Sequence, residues 1–154
     1  MLPLFVLLGT FAITLLVTKY FTRAFDYSLS GRMAMSCMLV LTAIGHFAFT
    51  GGMAMMMPDF IPFKKELVYL TGLIEIAAAF GLLFFRLQRI TAWLLIIFFV
   101  LILPANINAA LRNLDYQTGS SAGHGVGYLW FRVPLQVLFI AWTYFFGIRL
   151  KAKL

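Results

Sequence analysis

The sequence has little charge and almost no cysteine. Only 11% of its 154 residues are Asp, Glu, Lys or Arg, whereas roughly 25% of the residues in an average soluble domain are charged. The single cysteine, Cys37, excludes an internal disulfide and a Cys-x-x-Cys redox pair, and we interpret it as a packing residue. The sequence also has no cysteine cluster, no pair of haem-ligating histidines and no dinucleotide-binding motif. Any electrons that the protein handles must therefore come from a partner, and we expect no intrinsic metal or cofactor.

Apolar residues fill most of the chain. Hydrophobic residues make up 63% of the sequence, and its mean hydropathy is +0.98. About 20 helical residues cross the hydrocarbon core of a bilayer. Five windows are long and apolar enough, at roughly 2–18, 33–57, 66–85, 90–110 and 129–148. Because unpaired backbone groups find no partner in lipid, the sequence predicts an all-α membrane protein with five spans in one compact bundle.

The basic residues flank these windows. The net charge of +7 would suggest nucleic acid in a soluble protein, but here it is better explained as a topology signal. The larger group of cations follows the first, third and fifth windows: Lys19, Arg23, Arg32, Arg86, Arg89, Arg149, Lys151 and Lys153. The smaller group lies on the other side: Lys64, Lys65, Arg112 and Arg132. The positive-inside rule therefore places the N-terminus outside and the C-terminus in the cytoplasm.

Polar residues inside the spans are the candidate site. An intramembrane ionisable residue indicates function by default. Counting along alternating helices places five such residues between the midplane and the outer surface: His46, Glu75, Asn106, Arg132 and Gln136. Turned away from lipid, they would form a polar pocket under the outer surface, with Glu75 and Arg132 as the natural ion pair.

Each of these residues also has a structural explanation that the sequence leaves open. His46 could be satisfied by a neighbouring helix. Asn106 follows Pro104, so the fourth helix could line a cavity or fray at the outer interface. Arg132 precedes Pro134, which suits a first helical turn, so Arg132 could snorkel to the interface.

The segments between the spans carry no further chemistry. We interpret residues 19–32 as a short cytoplasmic connection and residues 51–62 as an outer connection. The longest loop, residues 111–128, is rich in Gly and Ser, and we predict that it is flexible and external. Its histidine, His124, is not by itself a metal site.

A series of short motifs resembles the DoxX family of small bacterial membrane proteins. The motifs are Gly45-His46-Phe47, Ile61-Pro62, Tyr69-Leu70-Thr71-Gly72-x-x-Glu75, Pro104-Ala105-Asn106 and Arg132-x-Pro134-Leu135-Gln136. The resemblance implies a DoxX-like four-helix transmembrane bundle at residues 33–150, preceded by an accessory helix and cytoplasmic connection at residues 1–32. It also implies a bacterial plasma membrane and links to membrane redox complexes, because the family name comes from a subunit of an archaeal thiosulfate:quinone oxidoreductase.

Two functions follow as expectations, and the sequence leaves open whether the protein is an enzyme. The first is a subunit of a redox-linked system that binds a quinone-like or other small apolar ligand, with a redox partner protein. Glu75 and His46 would exchange protons with that ligand. The alternative is a non-enzymatic scaffold or assembly protein whose buried polar cluster is structural. A lipid isomerase is weaker, because only one intramembrane carboxylate is present. We expect contact with the bilayer, no nucleic acid, and allow for a homo-oligomer.

Overall fold

The computed structural model describes residues 2–112, 127 and 129–150, and these ranges contain helices and no strands. The chain order is α1 (Leu2–Thr22), α2 (Tyr27–Ala48), α3 (Thr50–Met56), α4 (Lys64–Leu83), α5 (Gln88–Leu111) and α6 (Leu129–Tyr144), and a π-helical turn (Phe145–Arg149) continues α6. All of these except α3 belong to segments long and apolar enough to cross a membrane. The prediction of an all-helical, multi-pass membrane protein with five candidate spans is confirmed.

Helix α2 has the most neighbours. It packs against α4 on one side and α1 on another, while α4 contacts α5 and α5 contacts α6. The π-helical turn after α6 packs back onto α2, so α2, α4, α5 and α6 enclose a common core. The largest fully buried apolar side chains are Leu7, Met35, Met38, Leu39, Val68, Leu82 and Leu95. Helix α1 lies outside this ring and contributes Leu7 to the core.

The second span begins and ends earlier than the predicted 33–57. Asp26 caps its start, because the carboxylate accepts a hydrogen bond of 2.9 Å from the backbone N–H of Leu29. The helix ends at Ala48, and the short α3 follows after Phe49. The predicted connection at 19–32 is therefore wrong, since only residues 23–26 join α1 to α2. The predicted outer connection at 51–62 is likewise wrong in part, because α3 occupies its first half.

Arg32 is buried in α2, although the sequence suggested a cation at the cytoplasmic surface. Its guanidinium donates to the carbonyl of Ser28 at 3.2 Å, to the carbonyl of Leu82 at 3.4 Å and to the side chain of Gln88. Three acceptors from three helix segments compensate for the burial of the charge. Arg32 therefore joins helices α2, α4 and α5, and its interpretation as a surface topology signal is wrong.

Two prolines lie inside helices. Helix α5 continues through Pro104 to Leu111, so the alternative in which this helix frays near Asn106 is wrong. Pro134 is the sixth residue of α6 rather than part of its first turn. Pro104 leaves the Val100 carbonyl without its usual helical donor. Beside it, the side-chain amide of Gln136 donates to the Phe99 carbonyl at 2.7 Å and joins α6 to α5 at this level.

Cys37 does not pack into the core. It is exposed on α2, because it lies on the face of the helix opposite the core residues, so its interpretation as a packing residue is wrong. Most of the predicted loop at 111–128, including His124, lies outside the described residues.

Candidate functional site

A cavity of about 440 Å³ opens where α2 and α5 end and α4 and α6 begin. Alternating helix directions bring these four ends to the same level. The polar part of the wall consists of Thr42, His46, Thr71, Glu75, Asn106 and Arg132. Apolar residues from helices α1 to α5 line the remainder, and we call the whole space the polar cavity.

His46 and Glu75 form the centre of the polar wall. Nδ1 of His46 lies 2.9 Å from the Thr42 carbonyl and 3.3 Å from Oε2 of Glu75. Because a carbonyl oxygen only accepts, Nδ1 carries the hydrogen and directs it at Thr42. The carboxylate lies off the direction of this N–H bond, so Oε2 accepts no well-aligned hydrogen bond among the described residues. Glu75 is nevertheless 3% exposed, and burial without a full set of donors is costly for a carboxylate.

Arg132 and Asn106 form the second part of the polar wall. Nη2 of Arg132 donates to Oδ1 of Asn106 at 3.2 Å. Asn106 is buried and Arg132 is half-buried, and Arg132 is close enough for its charge to act on His46. Two helices thus supply donors on one side of the cavity, while Glu75 and His46 supply acceptors on the other.

A glycine sets the distance between the helices that carry His46 and Glu75. A Cβ atom built at Gly72 would lie 3.0 Å from Cβ of His46 and 3.2 Å from the Phe47 ring. Any side chain here would push α4 away from α2 at the level of the site. Gly72 was not predictable as a site residue, because the need for a small side chain depends on which face of α2 lies opposite.

Helix α3 closes one side of the cavity. Met53 and Met56 of α3 line the cavity, as does Met57 directly after the helix. The side chain of Asn108, in the last turn of α5, donates to the Met56 carbonyl at 2.7 Å. The thioether side chains are flexible, so α3 forms an adaptable wall that is tied to α5.

A group of exposed charges, which we call the clasp, fixes the chain after α3. Arg112 donates to both carboxylate oxygens of Asp59, at 2.8 and 3.1 Å, and Lys64 contacts the same carboxylate at 3.3 Å. These partners hold the pKa of Asp59 at about 2, well below its usual value of 3.8. The clasp therefore joins the α3–α4 connection to the end of α5.

We expect the clasp to weaken only in strong acid. Because the folded-state pKa of Asp59 is lowered, its contribution is complete above the unfolded pKa near 3.8 and is lost as the pH falls through about 2. Asp59→Asn should lower the melting temperature slightly at pH 7 and pH 5, and the difference from wild type should vanish toward pH 2. The effect is small because solvent screens exposed pairs. Glu66→Gln, which removes an exposed carboxylate without an ion pair among the described residues, is the control. An unchanged difference at pH 2 would contradict the clasp.

Four of the five predicted site residues line one cavity, and the fifth does not. His46, Glu75, Asn106 and Arg132 meet there, whereas Gln136 is buried one turn deeper against Phe99. Glu75 lies against His46, and Arg132 donates to Asn106. Glu75 and Arg132 therefore belong to two separate pairs in one wall, and the ion pair expected between them is not among the ion pairs of the described residues. The described residues contain no group of three or more His, Cys, Asp or Glu side chains that could hold a metal ion.

Comparison with known proteins gives a family but no characterised relative. No curated protein and no solved structure matches the chain. The family model that matches is described as "Domain of unknown function (DUF8561)" and covers residues 35–147. The assignment to the DoxX family is therefore wrong. Its motifs were each only two to five specified residues long, and helical packing places such residues in many apolar sequences. The chain belongs to the family described as Domain of unknown function (DUF8561), whose model covers most of its length.

Proposed function

We propose that this membrane protein binds a small, largely apolar ligand in the polar cavity, with Glu75 and His46 facing the polar end of that ligand. The observation that carries the proposal is the buried Oε2 of Glu75, which lines a cavity of about 440 Å³ without an aligned donor. Ligand sites are typically apolar cavities of roughly 300–1,000 Å³ with a few converging polar groups. Such a carboxylate can also accept a proton from, or return it to, a bound molecule.

The contrast with Arg32 favours a binding role over a structural lock. Arg32 is also a buried charge, but it donates to three acceptors and is not part of the cavity wall. A structural cluster gains most when its polar groups satisfy one another. Oε2 of Glu75 has no aligned donor among the described residues, and the cavity lies next to it. A ligand is the simplest source of the missing donor.

The redox role expected from the sequence stays a prediction. It depended on the resemblance to the DoxX family, and the cavity itself supports only binding and proton exchange. A quinone-like molecule is one member of the class of ligands that the cavity would accept. Electron transfer would also need a redox centre, and the described residues contain no group of three or more His, Cys, Asp or Glu side chains that could hold a metal ion.

The test is a search for a co-purified molecule. We expect the organic extract of wild-type protein in mild detergent to contain one lipid-soluble compound in stoichiometric amount by mass spectrometry. Ala105→Phe should remove it, because Ala105 lines the cavity and a benzyl group would fill part of it. Ala77→Phe, the same change at an exposed position of α4, should retain it. Equal extracts from wild type and Ala105→Phe would favour the scaffold alternative.

We further propose that the cavity lies in the outer half of a bacterial plasma membrane. With Arg32 buried, the cations at the Arg86 end of the bundle still outnumber those at the Lys64 end, which supports an external N-terminus and a cytoplasmic C-terminus. In a Cys37→Ser background, a membrane-impermeant maleimide should label Phe60→Cys on intact cells and Arg86→Cys only after lysis. The reverse pattern would place the cavity on the cytoplasmic side.

A further inference from the structure

The acceptors of the polar cavity cluster on α2 and α4. Nδ1 of His46 carries the hydrogen, so Nε2 of the neutral ring has the lone pair. No residue among those described hydrogen-bonds to Nε2. Oε2 of Glu75 lies beside the same ring and also lacks an aligned donor. A ligand that satisfies this side of the cavity must therefore bring a hydrogen-bond donor.

The donors lie opposite, on α5 and α6. A guanidinium only donates, so the Asn106 atom that contacts Arg132 is the amide oxygen, and the Asn106 NH₂ group is the other end of that side chain. This NH₂ group makes no hydrogen bond among the described residues. A ligand that satisfies this side must bring an acceptor.

The wall carries charges of both signs, which disfavours head groups with a net charge. A ligand ammonium beside Glu75 would also be repelled by Arg132, and a ligand carboxylate beside Arg132 would also be repelled by Glu75. The remaining wall, with Leu2, Leu41, Ile44, Val68 and Ile102, is apolar. The cavity thus matches a neutral molecule with an aliphatic or aromatic body.

We propose that the ligand is an uncharged apolar molecule whose polar end carries a hydroxyl group next to a carbonyl or ester oxygen. The hydroxyl donates to Glu75 and the carbonyl accepts from Asn106. This inference rests on the proposed function, and it adds the chemical class of the ligand. It also gives Glu75 a specificity role, because the carboxylate would distinguish a hydroxylated ligand from the same molecule without the hydroxyl.

Four probes that share a ten-carbon chain separate the contributions of the hydroxyl group, the carbonyl group and the charge. Methyl 2-hydroxydecanoate has both groups, methyl decanoate lacks the hydroxyl, 1-decanol lacks the carbonyl, and 2-hydroxydecanoate is an anion. Binding is measured by calorimetry with protein in phosphatidylcholine nanodiscs, and empty nanodiscs give the partitioning background. Methyl 2-hydroxydecanoate should bind about tenfold or more tightly than methyl decanoate, since a hydrogen bond to a charged group is being deleted.

The same comparison in Glu75→Leu isolates the carboxylate. The ratio of the affinities of the two esters should fall to about one in this variant. Membrane partitioning cancels when this ratio is compared with that of the wild type, because both proteins are in the same bilayer. If Glu75→Leu does not fold, Glu75→Gln should still reduce the ratio severalfold, because the acceptor loses its charge.

Each result has a distinct meaning. Equal binding of the two esters to wild type would overturn the ligand class while leaving the cavity as a binding site. Tightest binding of the anion would also overturn it, in favour of an acidic lipid that Arg132 attracts. Unchanged discrimination in Glu75→Leu would remove Glu75 from the assignment. If no probe binds and Ala105→Phe also leaves the extracted lipids unchanged, the proposed function fails as well.

Discussion

His46→Leu should destabilise the protein strongly only when Glu75 is present. In the wild type, the N–H of His46 lies 3.3 Å from Glu75 Oε2, and no other ion-pair contact of this carboxylate occurs within the described part of the chain. Removing the imidazole takes the nearest polar group away from a buried carboxylate that already lacks an aligned donor, which should cost about 1–3 kcal/mol. Glu75→Leu alone should be close to neutral, because an apolar side chain of similar size replaces a buried charge.

The double variant provides the measurement. The double variant His46→Leu/Glu75→Leu should unfold at nearly the same denaturant concentration as Glu75→Leu, which corresponds to a coupling free energy of about 1–3 kcal/mol between the two sites. Simple additivity would mean that Glu75 does not depend on His46. A second double-mutant cycle, which combines Glu75→Leu with Arg132→Leu, tests the ion pair that the sequence suggested. A larger coupling there would make Arg132 the main counter-charge, contrary to the contacts in the structure.

The level of the site was predictable because helix rise is constant. Each residue adds about 1.5 Å along a helix, so distance from the basic flanks placed His46, Glu75, Asn106 and Arg132 at one depth. The depth of Gln136 was predicted wrongly. Gln136 shares a helix face with Arg132, but it lies one turn, about 5.4 Å, further along α6. Its side chain is therefore past the cavity and contacts the Phe99 carbonyl.

Contacts between helices were not predictable, because they depend on rotation about each helix axis. Arg32 looked like a surface cation since nothing in the sequence placed Gln88, at the start of another helix, against it. The exposure of Cys37 was missed for the same reason. Some glycines mark close contacts: a Cβ at Gly81 would lie 3.0 Å from Cγ2 of Thr91, whereas a Cβ at Gly9 would meet nothing within 4 Å. The sequence alone does not tell these two kinds of glycine apart.

Gly31 marks the closest of these approaches, at the end of the bundle opposite the cavity. A Cβ atom there would overlap the Phe146 ring and lie 2.6 Å from Cβ of Phe146, next to the backbone of the π-helical turn. The Gly31 carbonyl also accepts a hydrogen bond of 3.0 Å from the Trp142 indole. The chain after α6 thus packs on the bare backbone of α2.

Gly31→Ala and Gly9→Ala should change stability in opposite directions. At Gly9 a new Cβ meets nothing within 4 Å, so Ala should add about 0.5–1 kcal/mol through its helix propensity. At Gly31 the same methyl must displace Phe146 at its attachment to the backbone, and overpacking of this kind typically costs about 1–3 kcal/mol. Denaturant unfolding measures both, and the Trp142 emission should shift only in Gly31→Ala, where the indole loses its hydrogen bond to α2. If Gly31→Ala were as stable as Gly9→Ala, the π-helical turn would not pack against α2 as described, and the closure of the bundle by α6 would need another explanation.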